Sequence, residues 1–338
     1  MLKTALIGVG GMGRGHLENL VRFTNEKEII TLTAICDIRP ERLAGEKSDF
    51  NLDVGSSDID FTSFKRYTDM DELLDKEDID LVVLALPTYL HCEATVKCLE
   101  KGINVFCEKP MARSAEECRI MIETAKKCGK HLMIGQCLRF WGEYEYLKKI
   151  VESGEFGKPV GAYFYRGGET PLWSYNNWLL KRELGGGALC DQHVHDIDMV
   201  NYLFGMPEAV SAVGKNLYEG SGYDSVSANY IFKESFAANA QDDWAINGFP
   251  FSMIFRVNFE NGTVIMDGSL KACRRGGEVF TPEYDHENAY YKELKYFAGC
   301  ILNGTENTIN PPEASLNTIR IMEAETRSAD SNGAVVEI

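Results

Sequence analysis

Three groups of residues have the types and spacing to do chemistry. Gly8, Gly10 and Gly13 set the segment GVGGMG as G-x-G-x-x-G, with Gly11 and Met12 inside the pattern. An apolar stretch precedes it and a helix-like one follows. In that setting Gly8 allows a tight turn, Gly10 lets the backbone approach a pyrophosphate, and Gly13 permits close packing of helix on strand. The phosphates would rest on N–H groups at the helix start. Asp37 ends the second apolar stretch, where a carboxylate accepts hydrogen bonds from both adenosine ribose hydroxyls and repels a 2′-phosphate. This favours NAD over NADP, and Arg39 nearby softens the preference. The second group, Pro87, Thr88 and His91, follows the fourth apolar stretch. Ligands of open parallel sheets sit beyond the carboxyl ends of the strands, so this loop would border the cofactor; Thr88 serves equally well as a helix N-cap. In the third group, Asp191, His195 and Asp198 stand at i, i+4 and i+7 and share one face of a helix. A carboxylate one turn ahead of an imidazole can orient it or exchange a proton with it, and Asp198 fits a loop hydrogen bond better than chemistry.

The elements that must carry these residues can be read from the periodicity. Thr4–Gly8, Leu32–Cys36, Leu81–Leu86, Asn104–Phe106 and His131–Ile134 are short apolar runs. Helical patterns separate them at Gly13–Phe23, Met70–Leu74, Tyr89–Glu100 and Ala115–Cys128. That alternation predicts a doubly wound parallel sheet with both faces covered. Ser48–Ser63, rich in Gly, Ser and Asp, reads as a surface loop. Beyond residue 136 the texture becomes that of a mainly antiparallel open sheet with helices on one face. Its strands are predicted at Val160–Tyr165, Ala209–Val213, Ser225–Phe232, Phe251–Phe259, Thr263–Asp267 and Ala334–Ile338, its helices at Gly142–Glu152, Asn288–Leu302 and Pro312–Arg327. Asn261-Gly262 marks a tight hairpin. The reading therefore divides the chain into a dinucleotide-binding domain over 1–136 and a substrate-binding, oligomerisation domain over 137–338.

The fifth strand ends in CEKPMA, with Glu108 and Lys109, and residues 185–205 read GGGALCDQHVHDIDMVNYLFG. With the glycine loop, these resemble the Gfo/Idh/MocA family (glucose–fructose oxidoreductase, inositol dehydrogenase, rhizopine catabolism). EL-x-x-F at Glu293–Phe297 and the helix after Pro311-Pro312 extend the resemblance over essentially the whole chain. It implies that Lys109, Asp191 and His195 are catalytic. Lys109 would bind the reacting hydroxyl beside the nicotinamide, Glu108 would border the cofactor with it, and a cis peptide before Pro110 would fix the lysine's direction. His195 would act as general acid/base and Asp191 would assist. These types suit oxidation of a secondary alcohol: an imidazole titrating near neutrality takes the hydroxyl proton, and an ammonium stabilises the negative oxygen.

On the substrate side the reading names Arg139, Tyr165, Trp173 and Trp178 with Lys109, Asp191 and His195. Aromatic faces and polar groups suit the C–H faces and hydroxyls of a polyol or sugar. One departure from the family pattern is His193, where a small residue is usual. His193 and His195 form H-x-H, but residues two apart on a helix diverge by about 200° around its axis, so no metal is expected. Lys plus Arg number 35 against 51 Asp plus Glu, a formal charge of −16 that argues against nucleic acid or an anionic membrane as partner. Ten scattered cysteines without a C-x-x-C pair read as reduced core residues of a cytoplasmic protein. The expected state is a homodimer or homotetramer. Two other functions fit the same residues: NAD-assisted glycoside cleavage through transient oxidation, and a non-catalytic dinucleotide-binding regulator.

Overall fold

The computed structural model describes residues 1–46 and 59–338; most of the loop expected at 48–63 lies outside the described residues. Packing divides the chain into two units, one of residues 1–137 and 288–315, the other of residues 138–287 and 316–338. Sequence texture assigns all of 137–338 to a second domain, whereas the segment 288–315 packs with the first unit.

The first unit alternates strand and helix. Its elements are β1 (Leu2–Ile7), α1 (Gly11–Glu26), β2 (Ile30–Cys36), α2 (Pro40–Leu43), β3 (Lys65–Tyr67), α3 (Met70–Lys76), β4 (Leu81–Leu84), α4 (His91–Glu100), β5 (Asn104–Glu108), α5 (Ala115–Cys128) and β6 (Leu132–Gly135). The six strands pair in parallel in the order β3-β2-β1-β4-β5-β6. Every residue of β4, β5 and β6 is buried, so these strands read as unbroken apolar runs rather than as alternation. The helices are amphipathic: α1 buries Gly13, His16, Leu17, Leu20 and Phe23 at helical spacing. Local chemistry fixes their ends. Ser114 caps α5 by accepting the Glu117 N–H, the Glu117 carboxylate accepts the Arg113 N–H, and Gly129 closes the helix in the left-handed region. Strand β3 escaped the sequence reading because it is a three-residue, largely exposed edge.

The second unit contains α6 (Gly142–Ser153), β7 (Pro159–Gly167), α7 (Gly187–Asp191), α8 (Val194–Phe204), β8 (Ala209–Lys215), β9 (Ser225–Ile231), β10 (Ala237–Asp243), β11 (Ser252–Phe259), β12 (Gly262–Asp267), β13 (Leu270–Arg274) and β14 (Val279–Phe280). After α9 (Ala289–Asn303), which belongs to the first unit, α10 (Pro312–Asp330) leads to β15 (Val336–Glu337). The nine strands lie in the order β14-β13-β12-β11-β7-β10-β9-β8-β15 and are antiparallel except for β10 on β7. The turn at Asn261-Gly262 joins β11 to β12 as expected. Strand β10 was not anticipated, because AANAQDD is poor in β-formers; its place between β7 and β9 makes it a strand. Helices α7 and α8 pack on one face of β7 and β10.

Candidate cofactor and active site

The order of the first sheet reverses between β1 and β4, so the loops after β1, β2, β4 and β5 gather at one switch point beyond the strands' carboxyl ends. Gly8 has φ 91°, and a Cβ there would fall 2.3 Å from the Ala85 carbonyl oxygen. A Cβ on Gly13 would fall 2.0 Å from the carbonyl oxygen of Gly8, so the start of α1 lies directly on its own loop. At Gly10 a Cβ would meet only Arg39 Nη2, at 3.8 Å. Its bareness relieves no clash and instead leaves the front of the loop open. Gly10 caps α1 with no side-chain bond, ahead of Gly11 and Met12. An open, uncapped helix start of this shape fits a dinucleotide pyrophosphate.

Asp37, 7% exposed, stands beside this loop. Its Oδ2 accepts the Val9 N–H at 2.8 Å and its Oδ1 the Arg39 N–H at 2.9 Å, with Arg39 Nε at 3.4 Å. A carboxylate has about four acceptor sites, so these donors orient it and leave room for ribose hydroxyls. Arg39 therefore sits against both Asp37 and the glycine loop.

The structure corrects three expectations in the neighbouring loops. His91 is fully buried, with Nδ1 2.8 Å from the Pro110 carbonyl and Nε2 2.8 Å from that of Leu86. It ties the loop after β4 to the loop after β5 and presents nothing to a cofactor; burial lowers its basicity against the pull of those carbonyls. Thr88 is no helix cap: it lies inside a short 3-10 turn capped by Pro87, and its carbonyl accepts the His91 N–H. Glu108 is buried as well. Its Oε1 meets His16 Nε2 at 2.6 Å and its Oε2 accepts the Lys109 N–H at 3.0 Å, so it is a strut behind the loop rather than a cofactor contact. Burial pushes its carboxyl up, but His16 and Lys109 outweigh this and hold it below the usual value. Glu293 of α9 completes this buried cluster; burial and the neighbouring Glu108 raise it well above the usual range. Lys109 itself, at the end of β5, keeps part of its surface, and the Lys109–Pro110 peptide is cis.

In the second unit, Asp191 ends α7 and His195 lies in the first turn of α8, with Gln192 and His193 between. Asp191 and His195 are half-buried, whereas His193, Asp196 and Asp198 have no more than 1% exposure. Asp198 is bound by Arg139, Nε to Oδ2 and Nη2 to Oδ1, both at 2.8 Å, and the Thr318 hydroxyl donates to Oδ1 at 2.8 Å. Arg139 is 3% exposed, with its guanidinium 4.4 Å over the Tyr202 ring. The expected substrate contact at Arg139 is therefore a structural ion pair. Tyr165 is corrected too. Arg166, its neighbour on β7, reaches Asp196 of α8 at 3.0 and 3.2 Å. Adjacent strand residues face opposite ways, so Tyr165 points to the sheet face away from α7 and α8. Trp173 and Trp178 pack against Leu179, Leu180, Ala188 and Trp244 under α7, so part of each ring anchors the loop.

Sequence alone does not single out His16, Asp242 and Glu325, and it gives Arg166 and Glu293 no role as supports of these segments. Each finds its partner only through the fold. Two clusters bring His and acidic ligand atoms within 4.8 Å of one another: His16–Glu108–Glu293 and His193–Asp196–Asp242. In the second, the Arg166 guanidinium already supplies the cation to both oxygens of Asp196.

Fold and loop geometry are those of a two-unit chain whose parallel sheet carries a dinucleotide-binding loop, and comparison agrees. Residues 2–136 match the model described as "Oxidoreductase family, NAD-binding Rossmann fold", and residues 144–265 match the GFO/IDH/MocA C-terminal domain. The chain belongs to the Gfo/Idh/MocA oxidoreductase family. It is 31% identical over 331 residues to a protein of Thermotoga maritima named myo-inositol 2-dehydrogenase, covering 93% of this chain and 91% of that one. It is 32% identical over 237 residues to the 2,7-anhydro-N-acetylneuraminate hydratase of Mediterraneibacter gnavus, covering 70% of this chain; the match spans only 58% of that relative's length. Among solved structures it superposes on the aldose-aldose oxidoreductase of Caulobacter crescentus, crystallised with glycerol. The TM-score is 0.83 at 27% identity, over 100% of this chain and 99% of that one.

Proposed function

We propose that the protein is an NAD-dependent oxidoreductase acting on a secondary hydroxyl of a sugar, cyclitol or related polyol. The observation that carries this reading is the meeting of the bare Gly10 loop, Asp37 and the Lys109 strand end at one switch point, in a chain of an NAD-binding family. When bound, the dinucleotide supplies the hydride acceptor. Gly8–Gly13 hold its pyrophosphate, Asp37 holds the ribose, and NAD is preferred to NADP. The Lys109 ammonium binds the reacting hydroxyl and stabilises the oxygen as it becomes negative. His195 takes the hydroxyl proton and returns it in the reverse direction, with Asp191 orienting it. Trp173 and Trp178 offer their remaining surface to the polyol's C–H faces.

The test is a panel of inositols, aldoses and related polyols followed by NADH absorbance, with wild type, Lys109→Ala and His195→Ala. Net NADH from at least one polyol, reduced at least a hundredfold in both variants, is the expected result. No NADH from any member would overturn the reading. The hydratase relative supports a second reading, cleavage through transient oxidation with no net cofactor turnover. Substrate consumption without NADH accumulation would select it.

The open face of the nine-stranded sheet carries Tyr163, Tyr165, Val213 and Ile231, with Val213 and Ile231 exposed. It is the surface through which we expect a homodimer or homotetramer, and sedimentation as a monomer at micromolar concentration would contradict this. Among the described residues no helix is long and apolar enough to cross a membrane. We place the protein in the cytoplasm, where its ten cysteines stay reduced; alkylation of the freshly isolated protein should find ten thiols.

A further inference from the structure

His193, the departure from the family pattern, is 0% exposed. The segment Asp191–Asp196 is held at three side chains, those of Gln192, His193 and Asp196. Gln192 donates to Asp242 Oδ1 at 3.0 Å and accepts from Trp244 Nε1 at 3.0 Å. Asp196 takes both donors of Arg166. His193 Nε2 lies 3.3 Å from Glu325 Oε2 of α10, with Asp196 and Asp242 within 4.8 Å of the ring. Tyr230 of β9 borders the same carboxylate. Asp196, Asp242, Glu325 and His193 are all 0% exposed, and buried carboxylates need a counter-charge or a proton. Arg166 neutralises Asp196, which leaves Glu325 and Asp242 facing the imidazole. Burial alone would lower the basicity of His193, but Glu325, then Asp242 and Asp196, reverse this and raise it. The backbone carries the lock onward: the His193 carbonyl accepts the N–H groups of Asp196 and Ile197 at 2.9 and 3.0 Å.

We propose that His193 is a positioning residue whose imidazole, paired with the Glu325 carboxylate and facing Asp242 beside the α7–α8 turn, sets the directions of Asp191 and His195. This rests on the assignment of Asp191 and His195 above. A displacement of about 1 Å at a reacting group can cost roughly a hundredfold in rate, so the lock should be read in kcat rather than in cofactor affinity.

The experiment compares full-length wild type, His193→Phe, His193→Gln, His193→Phe/Glu325→Leu and His195→Ala. It measures steady-state turnover of the best polyol of the panel and amide hydrogen exchange over residues 188–200. His193→Phe keeps the ring but strands Glu325. It should lower kcat at least tenfold with KM for NAD+ within twofold, and speed exchange at Asp196 and Ile197 at least tenfold. His193→Gln, which keeps a donor and is the safer variant to fold, should fall between. Removing the stranded carboxylate in the double variant should restore slow exchange and bring kcat to within about threefold of wild type. Wild-type kcat and exchange in both single variants, or a double variant no better than His193→Phe, overturns the proposal. Wild-type turnover in His195→Ala overturns the functional assignment instead, and the exchange data then still decide whether His193 locks the turn.

Discussion

Replacing Arg139 by Met separates a substrate contact from a structural ion pair. Arg139 makes two 2.8 Å bonds to Asp198, both side chains are at most 2% exposed, and Thr318 donates to the same carboxylate. Methionine fills much of the volume but leaves Asp198 as a buried charge facing one hydroxyl. Breaking a buried pair from one side costs roughly 3–5 kcal/mol. In a unit of this size each kcal/mol moves the melting temperature by roughly 2–4 °C, so a fall of about 6–20 °C is expected. Arg139→Met/Asp198→Leu removes both charges, leaves only the Thr318 hydroxyl without its acceptor, and should regain most of the loss, to within about 1–2 kcal/mol of wild type. Thermal and urea unfolding give the stabilities, and the polyol assay gives KM for each soluble variant. A wild-type melting temperature in Arg139→Met, together with a raised polyol KM, would refute the reasoning and return Arg139 to the substrate.

Three further perturbations follow from the first unit. Gly13→Ala forces a Cβ to 2.0 Å from Gly8 O and should unfold or severely destabilise the unit, whereas Gly10→Ala meets nothing closer than 3.8 Å. The Gly10 variant should melt within about 2 °C of wild type yet bind NADH at least tenfold more weakly by fluorescence titration, and equal binding would sink the pyrophosphate assignment. Glu293 is raised when folded, so above the unfolded carboxyl value near 4.3 the folded state holds a proton that the unfolded state has lost. Stability therefore falls by about 1.4 kcal/mol per pH unit as pH rises through that window. Glu293→Gln removes this slope, and urea unfolding at about pH 5.5 and 7 should find the variant's stability improving relative to wild type as pH rises; a pH-independent difference would mean that Glu293 is ionised. Asp37→Ser, finally, removes the carboxylate that repels a 2′-phosphate and leaves Arg39 beside the loop. The ratio of NAD+ to NADP+ affinity should drop at least tenfold, and an unchanged ratio would free Asp37 of the ribose role.

Sequence made the doubly wound sheet legible because its strands are buried on both faces and its helices repeat with a helical period. The glycine loop was legible because its three positions answer to local sterics. Strand β10 was not, since Ala237–Asp243 has little strand character until β7 and β9 pair with it. Tyr165 and Arg139 were misread for a related reason. Which face of a strand a residue takes, and whether a guanidinium finds a carboxylate 59 positions away, depend on packing that no local pattern encodes. His193 shows the limit most clearly: its spacing marked it as unusual, but only α10, which brings Glu325, gives it a place.

The two motif strings at the candidate site therefore weave together two kinds of residue. In CEKPMA, Lys109 keeps exposure while Glu108, one position earlier, is buried against His16 and holds the Lys109 N–H. In DQHVHD, Asp191 and His195 keep exposure while Gln192, His193 and Asp196 are tied to Asp242, Glu325 and Arg166. In both strings a group offered for catalysis is covalently next to one sunk in a buried charge network. A short motif can hold its reactive atoms to within a fraction of an ångström only if neighbouring residues are anchored in this way. Loss of activity on mutating Glu108 or His193 is then no evidence that either touches substrate. What distinguishes the kinds is the pattern of rescue: a strut is restored by removing the charge it was holding, whereas a group that takes part in the reaction is not.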